Sequence, residues 1–267
     1  MVSKGQRMPV SLRANCLGSL ADETLARDDS IVGRVVNTFE NSFYVRTVDD
    51  ELVLVTNRSL QSPISVNVDR ASNLDHLVKP VDPVQVHRKE IHIGSDLSID
   101  LTNASTYQNH SIQSRQARSD FSRMKSALRV ISSILRIINA DQSVLDQQNL
   151  AHEGMARFVS NGLVALRRSG TDAHFHEAAL NLVGLGSGFT PSGDDAVGGF
   201  LATYNSLAPA IGRLTILLDF ASLQSRTSWI SAKLLDYMQR RILDDQMNRV
   251  IESAVLGNGD SLILSLE

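Results

Sequence analysis

The sequence predicts an α+β fold, a small N-terminal antiparallel β domain followed by a mainly α-helical domain. Three observations predict it. Short β-branched and aromatic runs, broken by turn residues, dominate up to about residue 112. From about Ser114 onward the apolar period becomes helical. The 267 residues suit one large domain or two small ones, with 42% hydrophobic and 21% charged residues, the balance of a chain that buries a core. These signals divide the chain into an N-terminal arm (1–30), a β-rich domain (31–110) and a helical domain (111–267).

In the β-rich part, residues 31–36, 42–47 and 51–56 read as strands, with Asp49–Asp50 marking the turn between the last two. Residues 64–69, "ISVNVD", alternate apolar and polar as a half-buried strand does. "VQVHR" and "IHIGSDLSIDL" carry the pattern to Leu101, and strands this short suggest a small antiparallel sheet or barrel. The polar stretch "LTNASTYQNHSIQSRQ" reads as the link between halves. In the helical part, Phe121, Met124, Leu128, Ile131, Leu135 and Ile138 step by three and four on one face. A second helix is expected over 143–168, closed by Ser169–Gly170, and a third over 172–183. Further helices are expected over 196–206, 208–222, 227–241 and 244–256.

Between two of these helices lies "GLGSGFTPSGDDAVGG", residues 184–199, in which six of sixteen positions are glycine. Gly184, Gly186, Gly188 and Gly193 let backbone N–H groups converge where a Cβ would intervene. Ser187, Thr190 and Ser192 add hydroxyl donors, and Pro191 fixes one φ. The stretch is expected to be a loop that enters a helix near Ala196, with Ser192 or Asp194 as its N-cap. A glycine-rich loop over a helix N-terminus suits an anion. It lacks the Lys–Ser/Thr ending of a P-loop and follows a helix, not a strand. A tight, capped helix–loop–helix connection accounts for the glycines and for one aspartate, but not for both Asp194 and Asp195. The second carboxylate calls for a divalent cation such as Mg²⁺, a bound ligand, or a role in acid–base chemistry.

Other residues carry weaker signals. Arg226, Thr227, Ser228 and Ser231 stand at a helix start, where an N-cap and solvated turn is the bland reading and an anion fork at Arg226 the sharper one. Thr227 and Ser231 share a helix face. The seven histidines lack zinc-helix spacing, His174 and His176 included. The single Cys16 rules out an internal disulfide framework. Trp229 and Phe200 read as core residues. A net charge of −3 and basic residues interleaved with acids argue against nucleic-acid binding. There is no apolar signal region and no membrane span in the sequence, so a cytoplasmic protein is expected.

"GLGSGFTPSGDDAVGGFLA" resembles the GLGxGxTPSGDD signature of the AllH-type subunit family of oxamate carbamoyltransferase, matching at Gly184, Gly186, Gly188, Thr190, Pro191, Ser192, Gly193, Asp194 and Asp195. "GRVVNTFENSFYVRTVDDELVLVTN" resembles the family's N-terminal β segment, and "SRTSWISAKLL" its R-T-[TS]-x-x-S segment. The resemblance runs from about Ile31 to the C-terminus and leaves the first thirty residues outside it. Phe189 stands where leucine is usual. The resemblance also implies a second glycine- and serine-rich motif beyond "GDSLILSLE", where this sequence stops.

What the resemblance implies is a transferase subunit of anaerobic allantoin degradation, a branch of purine catabolism, that works with other enzyme subunits. The associated chemistry is phosphorolysis of oxalurate to oxamate and carbamoyl phosphate. The expected site comprises Asp194 and Asp195 as catalytic or Mg²⁺-holding groups. Gly186, Ser187, Gly188, Thr190, Ser192, Gly193, Arg226, Thr227 and Ser231 are expected to bind a small anionic substrate or phosphate. Two alternatives stay open: a non-catalytic ligand-binding or assembly subunit, and a phosphate-dependent enzyme on another substrate.

Overall fold

The computed structural model describes residues 9–26, 30–69, 73–108, 172–211 and 213–256. The helices expected over 121–138 and 143–168 lie outside the described residues. The chain forms two compact units, Met1–Asn109 and His110–Glu267.

The first unit is a closed β barrel. Its strands are β1 (Val10–Gly18), β2 (Ser30–Phe39), β3 (Ser42–Thr47), β4 (Leu52–Thr56), β5 (Ser65–Val68), β6 (Pro83–His87), β7 (Glu90–Ile93), β8 (Leu97–Asp100) and β9 (Ser105–Tyr107). They pair in the order β5-β4-β3-β2-β6-β7-β8-β1-β9, and β1 also pairs with β5, which closes the ring. The sheet is mixed, not antiparallel as expected: β1 runs parallel to β8 and β9, and β4 runs parallel to β5. The reason is β1. Its first half (Val10 to Arg13) bonds β8 and its second half (Ala14 to Leu17) bonds β5, with a register shift between Ala14 and Cys16. One strand thus seals the seam by serving two neighbours in turn. Short helix α1 (Ser19–Leu25) follows it and buries Ala21 and Leu25 in the barrel core. The N-terminal stretch expected to be an arm therefore supplies the closing strand.

The pleat places the core. β3, β6 and β7 alternate strictly between buried and more exposed positions, which puts Phe43, Val45, Val84, Val86, Ile91 and Ile93 inside. β5 departs from the expected half-buried pattern, since all four of its residues are buried. Its polar face is satisfied internally. Ser65 Oγ donates to Asn67 Oδ1 at 2.7 Å, and Asn67 Nδ2 donates to the Arg58 and Leu60 carbonyls. Period-two polarity signals solvent only where no loop folds over the polar side.

The second unit contains α2 (Asp172–Leu182), α3 (Ser192–Leu207), a 3₁₀ turn (Ala208–Ile211), α4 (Phe220–Gln224), α5 (Trp229–Gln239) and α6 (Asp245–Leu256). Phe175, Leu182, Val197, Leu201, Leu223 and Leu235 pack together in its core. α3 and α5 meet closely at Gly198, where a Cβ would lie 2.3 Å from Met238 Sδ.

The single helix expected over 208–222 is absent. After the 3₁₀ turn, residues 213–219 run without helix before α4. Two buried amides hold them there. Asn205 Oδ1 accepts from the Ile216 amide and Asn205 Nδ2 donates to the Ile216 carbonyl, both at 2.8 Å. Gln239 does the same for Leu218, at 2.8 and 3.1 Å. Asn205 Nδ2 also donates to the Gln239 carbonyl at 2.7 Å. Each side chain replaces the backbone partner that a helix would have given.

Asn205 is completely buried. Asn205→Leu strands the amide and carbonyl of Ile216, and we expect a loss of roughly 2–4 kcal/mol, read as a lower midpoint in urea denaturation with an unchanged slope.

Candidate functional site

The site lies between α2 and α3, and close backbone contacts shape it. Gly184 ends α2 at φ +82°, and a Cβ there would stand 2.0 Å from the Arg226 carbonyl oxygen. At Gly193 a Cβ would stand 2.0 Å from the Leu182 carbonyl oxygen. Only glycine admits both approaches. They press the loop against the end of α2 on one side and the start of α5 on the other.

α3 begins at Ser192, a turn earlier than expected, so Ser192, Gly193, Asp194 and Asp195 are its first turn. Its N-cap position is Pro191, with no side-chain cap, in place of the expected Ser192 or Asp194. The first-turn amides are partly satisfied from the backbone. Gly193 N–H donates to the Leu185 carbonyl, and Asp194 and Asp195 N–H donate to that of Pro191.

The two aspartates have separate surroundings. Asp194 is 2% exposed. Its Oδ1 accepts the Gly184 amide at 2.6 Å. Its Oδ2 accepts the hydroxyls of Thr227 and Ser231, both at 2.5 Å. Three donors from two chain segments fill this carboxylate. Asp195 is exposed and takes a hydrogen bond from the Thr190 hydroxyl. Partial desolvation lifts its carboxyl above the usual aspartate range, the Thr190 bond opposes that, and the neighbouring Asp194 adds to it.

Thr227 precedes the N-cap and so is not on the helix face that its spacing from Ser231 implies, but both hydroxyls meet Asp194. Ser228 is the N-cap of α5, its side chain accepting from the Ser231 amide. Arg226 sits beside the loop through its own carbonyl at Gly184. Its Nη1 donates to the Leu180 carbonyl near the C-terminal end of α2 at 3.1 Å, a favourable place for a cation. The Arg226 side chain is otherwise exposed.

The rest of the loop is bare. Gly186 and Gly188 lie at φ +115° and +108°. Among the described residues the amides of Gly186, Ser187 and Gly188 meet no acceptor. Ser187 and Gly188 are exposed. What the loop offers chemically is N–H donors at 186–188, serine hydroxyls and the Asp195 carboxylate. Asp194 faces N–H and O–H donors, so its oxygens are not turned to a cation. Among the described residues no group of three His, Cys, Asp or Glu side chains is placed to hold a metal ion.

Residues 182–264 match the family model described as oxamate carbamoyltransferase subunit AllH, and residues 9–106 match that of the AllH family N-terminal domain. The chain belongs to the AllH family. The match begins at residue 9, so the first strand, outside the resemblance read from sequence, is part of the AllH N-terminal domain. No curated protein and no solved structure matches the chain. No helix among the described residues is long and apolar enough to cross a membrane.

Sequence reasoning missed the Gly184–Asp194 bond, which joins residues ten apart across a turn that only coordinates define. It also missed Asn205 and Gln239. A visible signal for Asn205 is its position four residues after Leu201 on the buried side of an apolar helix.

The aspartates predict opposite behaviour. Asp194→Ala leaves three donors unpaired and costs roughly 3–5 kcal/mol, seen as a large fall in melting temperature. For Asp195 the raised pKa sets the sign. Between the ordinary aspartate range and its own, the folded chain keeps a proton that the unfolded chain has released. Stability from this group therefore falls as pH rises through that window. Asp195→Asn is expected to melt at or above the wild-type temperature at neutral pH, with the difference vanishing in acid below the ordinary carboxylate range.

Proposed function

We propose that this AllH-family chain serves in the phosphorolysis of oxalurate to oxamate and carbamoyl phosphate, and that loop 186–195 holds the anionic substrate or phosphate. The observation that carries the reading is the run of unpartnered amides at Gly186, Ser187 and Gly188, in a segment fixed at both ends by glycine contacts. Such donors suit an oxyanion because they need no reorganisation when charge develops. The setting proposed is cytoplasmic, in allantoin degradation, with other subunits of the enzyme as partners.

In this reading a phosphate oxygen attacks the ureido carbonyl carbon. The carbonyl π pair moves to oxygen, where the loop amides receive it. As the carbonyl re-forms, the bond from that carbon to the oxamate nitrogen breaks, and the nitrogen takes a proton to leave as oxamate. Carbamoyl phosphate is the other product. We assign to Asp195, exposed at the end of the loop, the exchange of that proton or the acceptance of an N–H of the carbamoyl group. Ser187 and Ser192 hydroxyls and the Arg226 guanidinium add donors for phosphate. Asp194, Thr227 and Ser231 act behind them by fixing the loop.

Titration calorimetry with phosphate, carbamoyl phosphate and oxamate tests the site. Gly188→Ala forces a Cβ onto a residue at φ +108°, and we expect it to weaken phosphate binding at least tenfold, about 1.4 kcal/mol. Asp195→Asn is expected to retain most phosphate affinity and to lose carbamoyl phosphate formation in the assembled enzyme. Wild-type binding without turnover in that assembly would instead assign the chain a non-catalytic, ligand-binding role.

A further inference from the structure

Residues 213–219 present an extended edge that the described residues leave open at Thr215 and at the Leu217 amide. Ile216 and Leu218 each turn both backbone groups to the same side, toward Asn205 and Gln239. Two alternate residues bonded on one side define an extended strand, so the backbone groups of Thr215 and Leu217 face the other way. On that side the Leu217 carbonyl accepts from His176 Nε2 at 3.1 Å and keeps a second lone pair. Among the described residues the amides of Thr215 and Leu217 and the carbonyl of Thr215 have no partner. The side chains agree with an open edge: Leu214 is 83% and Leu217 56% exposed. Exposed apolar edges of this kind are templates for another strand.

The segment reads Arg-Leu-Thr-Ile-Leu-Leu-Asp, and its charges identify an occupant. Laid antiparallel on a copy of itself about Ile216, it sets Thr215 against Leu217, the two residues whose groups face outward, so both pairs take the hydrogen-bonded positions. The same register sets Arg213 against Asp219 at each end. Arg213 is exposed and has no side-chain partner among the described residues. Asp219 uses Oδ2 to cap α4 through Ser222 and leaves Oδ1 for another donor. A one-residue shift would lose both the hydrogen-bond phase and the charge match.

We propose that a second copy of this chain docks here, edge to edge, in an antiparallel pair about a twofold axis at Ile216. The pair is isologous, because each patch is its own complement. It is independent of the ligand reading at the glycine-rich loop.

Sedimentation equilibrium of the full chain over a concentration series is the test, with hydrogen exchange on the same samples. Expected are a concentration-dependent dimer and slower exchange at Thr215 and Leu217 as the dimer forms. Arg213→Glu sets like charges across both ends and is expected to weaken the dimer about tenfold at an unchanged monomer melting temperature. Asp219→Asn, which keeps a good cap, is expected to weaken it less. A monomer at every concentration overturns the proposal. So does a dimer that Arg213→Glu leaves untouched, or one that forms without protecting Thr215 and Leu217.

Discussion

The carboxylate of Asp194 is the constraint on which the candidate site depends. It is buried, and it receives donors from Gly184 just past α2, from Thr227 ahead of the α5 N-cap and from Ser231 in the first turn of α5. An ionised carboxylate is costly to bury unless its lone pairs are filled. Here they are filled by the Gly184 amide just past α2 and by the hydroxyls of Thr227, ahead of the α5 N-cap, and Ser231, in its first turn. The first turn of α3 adds the favourable end of a helix dipole. Two motifs far apart in sequence thereby become one piece of structure. The hydroxyls of Thr227 and Ser231 hold the loop through Asp194, and Ser187 and Gly188 stay exposed.

That arrangement separates two carboxylates that look equivalent on paper. Adjacent residues on a helix point about 100° apart, so burying one turns the next toward solvent. Asp194 faces inward and saturates. Asp195 is exposed, accepts from Thr190, and has its ionisation disfavoured by partial burial and by its neighbour. The two carboxylates thus have divergent environments, one saturated by donors and one open to solvent. The glycines follow the same division. Gly184 and Gly193 are required by neighbouring carbonyl oxygens. At Gly188 the nearest neighbour to an added Cβ is the Thr190 carbonyl oxygen at 3.4 Å, so its left-handed backbone is what excludes other residues.

Much of the fold was legible because local period and local structure agreed. Residues 42–47 are the expected strand to the residue, and among the described residues the helices expected from 172, 196, 227 and 244 begin within a few residues of those starts. What failed to show was long-range. The mixed character of the barrel comes from β1 changing partner halfway along, and nothing in "VSLRANCLG" announces two different neighbours. The buried polar face of β5 needs Arg58 and Leu60 to fold over it. In the site, the spacing of Thr227 and Ser231 was readable, but the anion they meet was read as an external ligand. It is a side chain of the same protein.

The break at 208–222 shows how the same polar groups serve fold and surface together. Leucine-rich "RLTILLD" has no helix breaker inside it, and its local preference is overruled by two amides on α3 and α5. An Asn or Gln that bonds both backbone groups of one residue substitutes for a neighbouring strand at that residue, and only on one side. Holding a segment extended in this way necessarily leaves its opposite edge without backbone partners from the same source. In a chain that otherwise closes its sheet into a barrel, with β1 sealing the seam, an open edge in the helical unit stands out. The β5–β1 pairing closes the barrel within one chain, whereas the edge at Thr215 and the Leu217 amide has no such partner among the described residues.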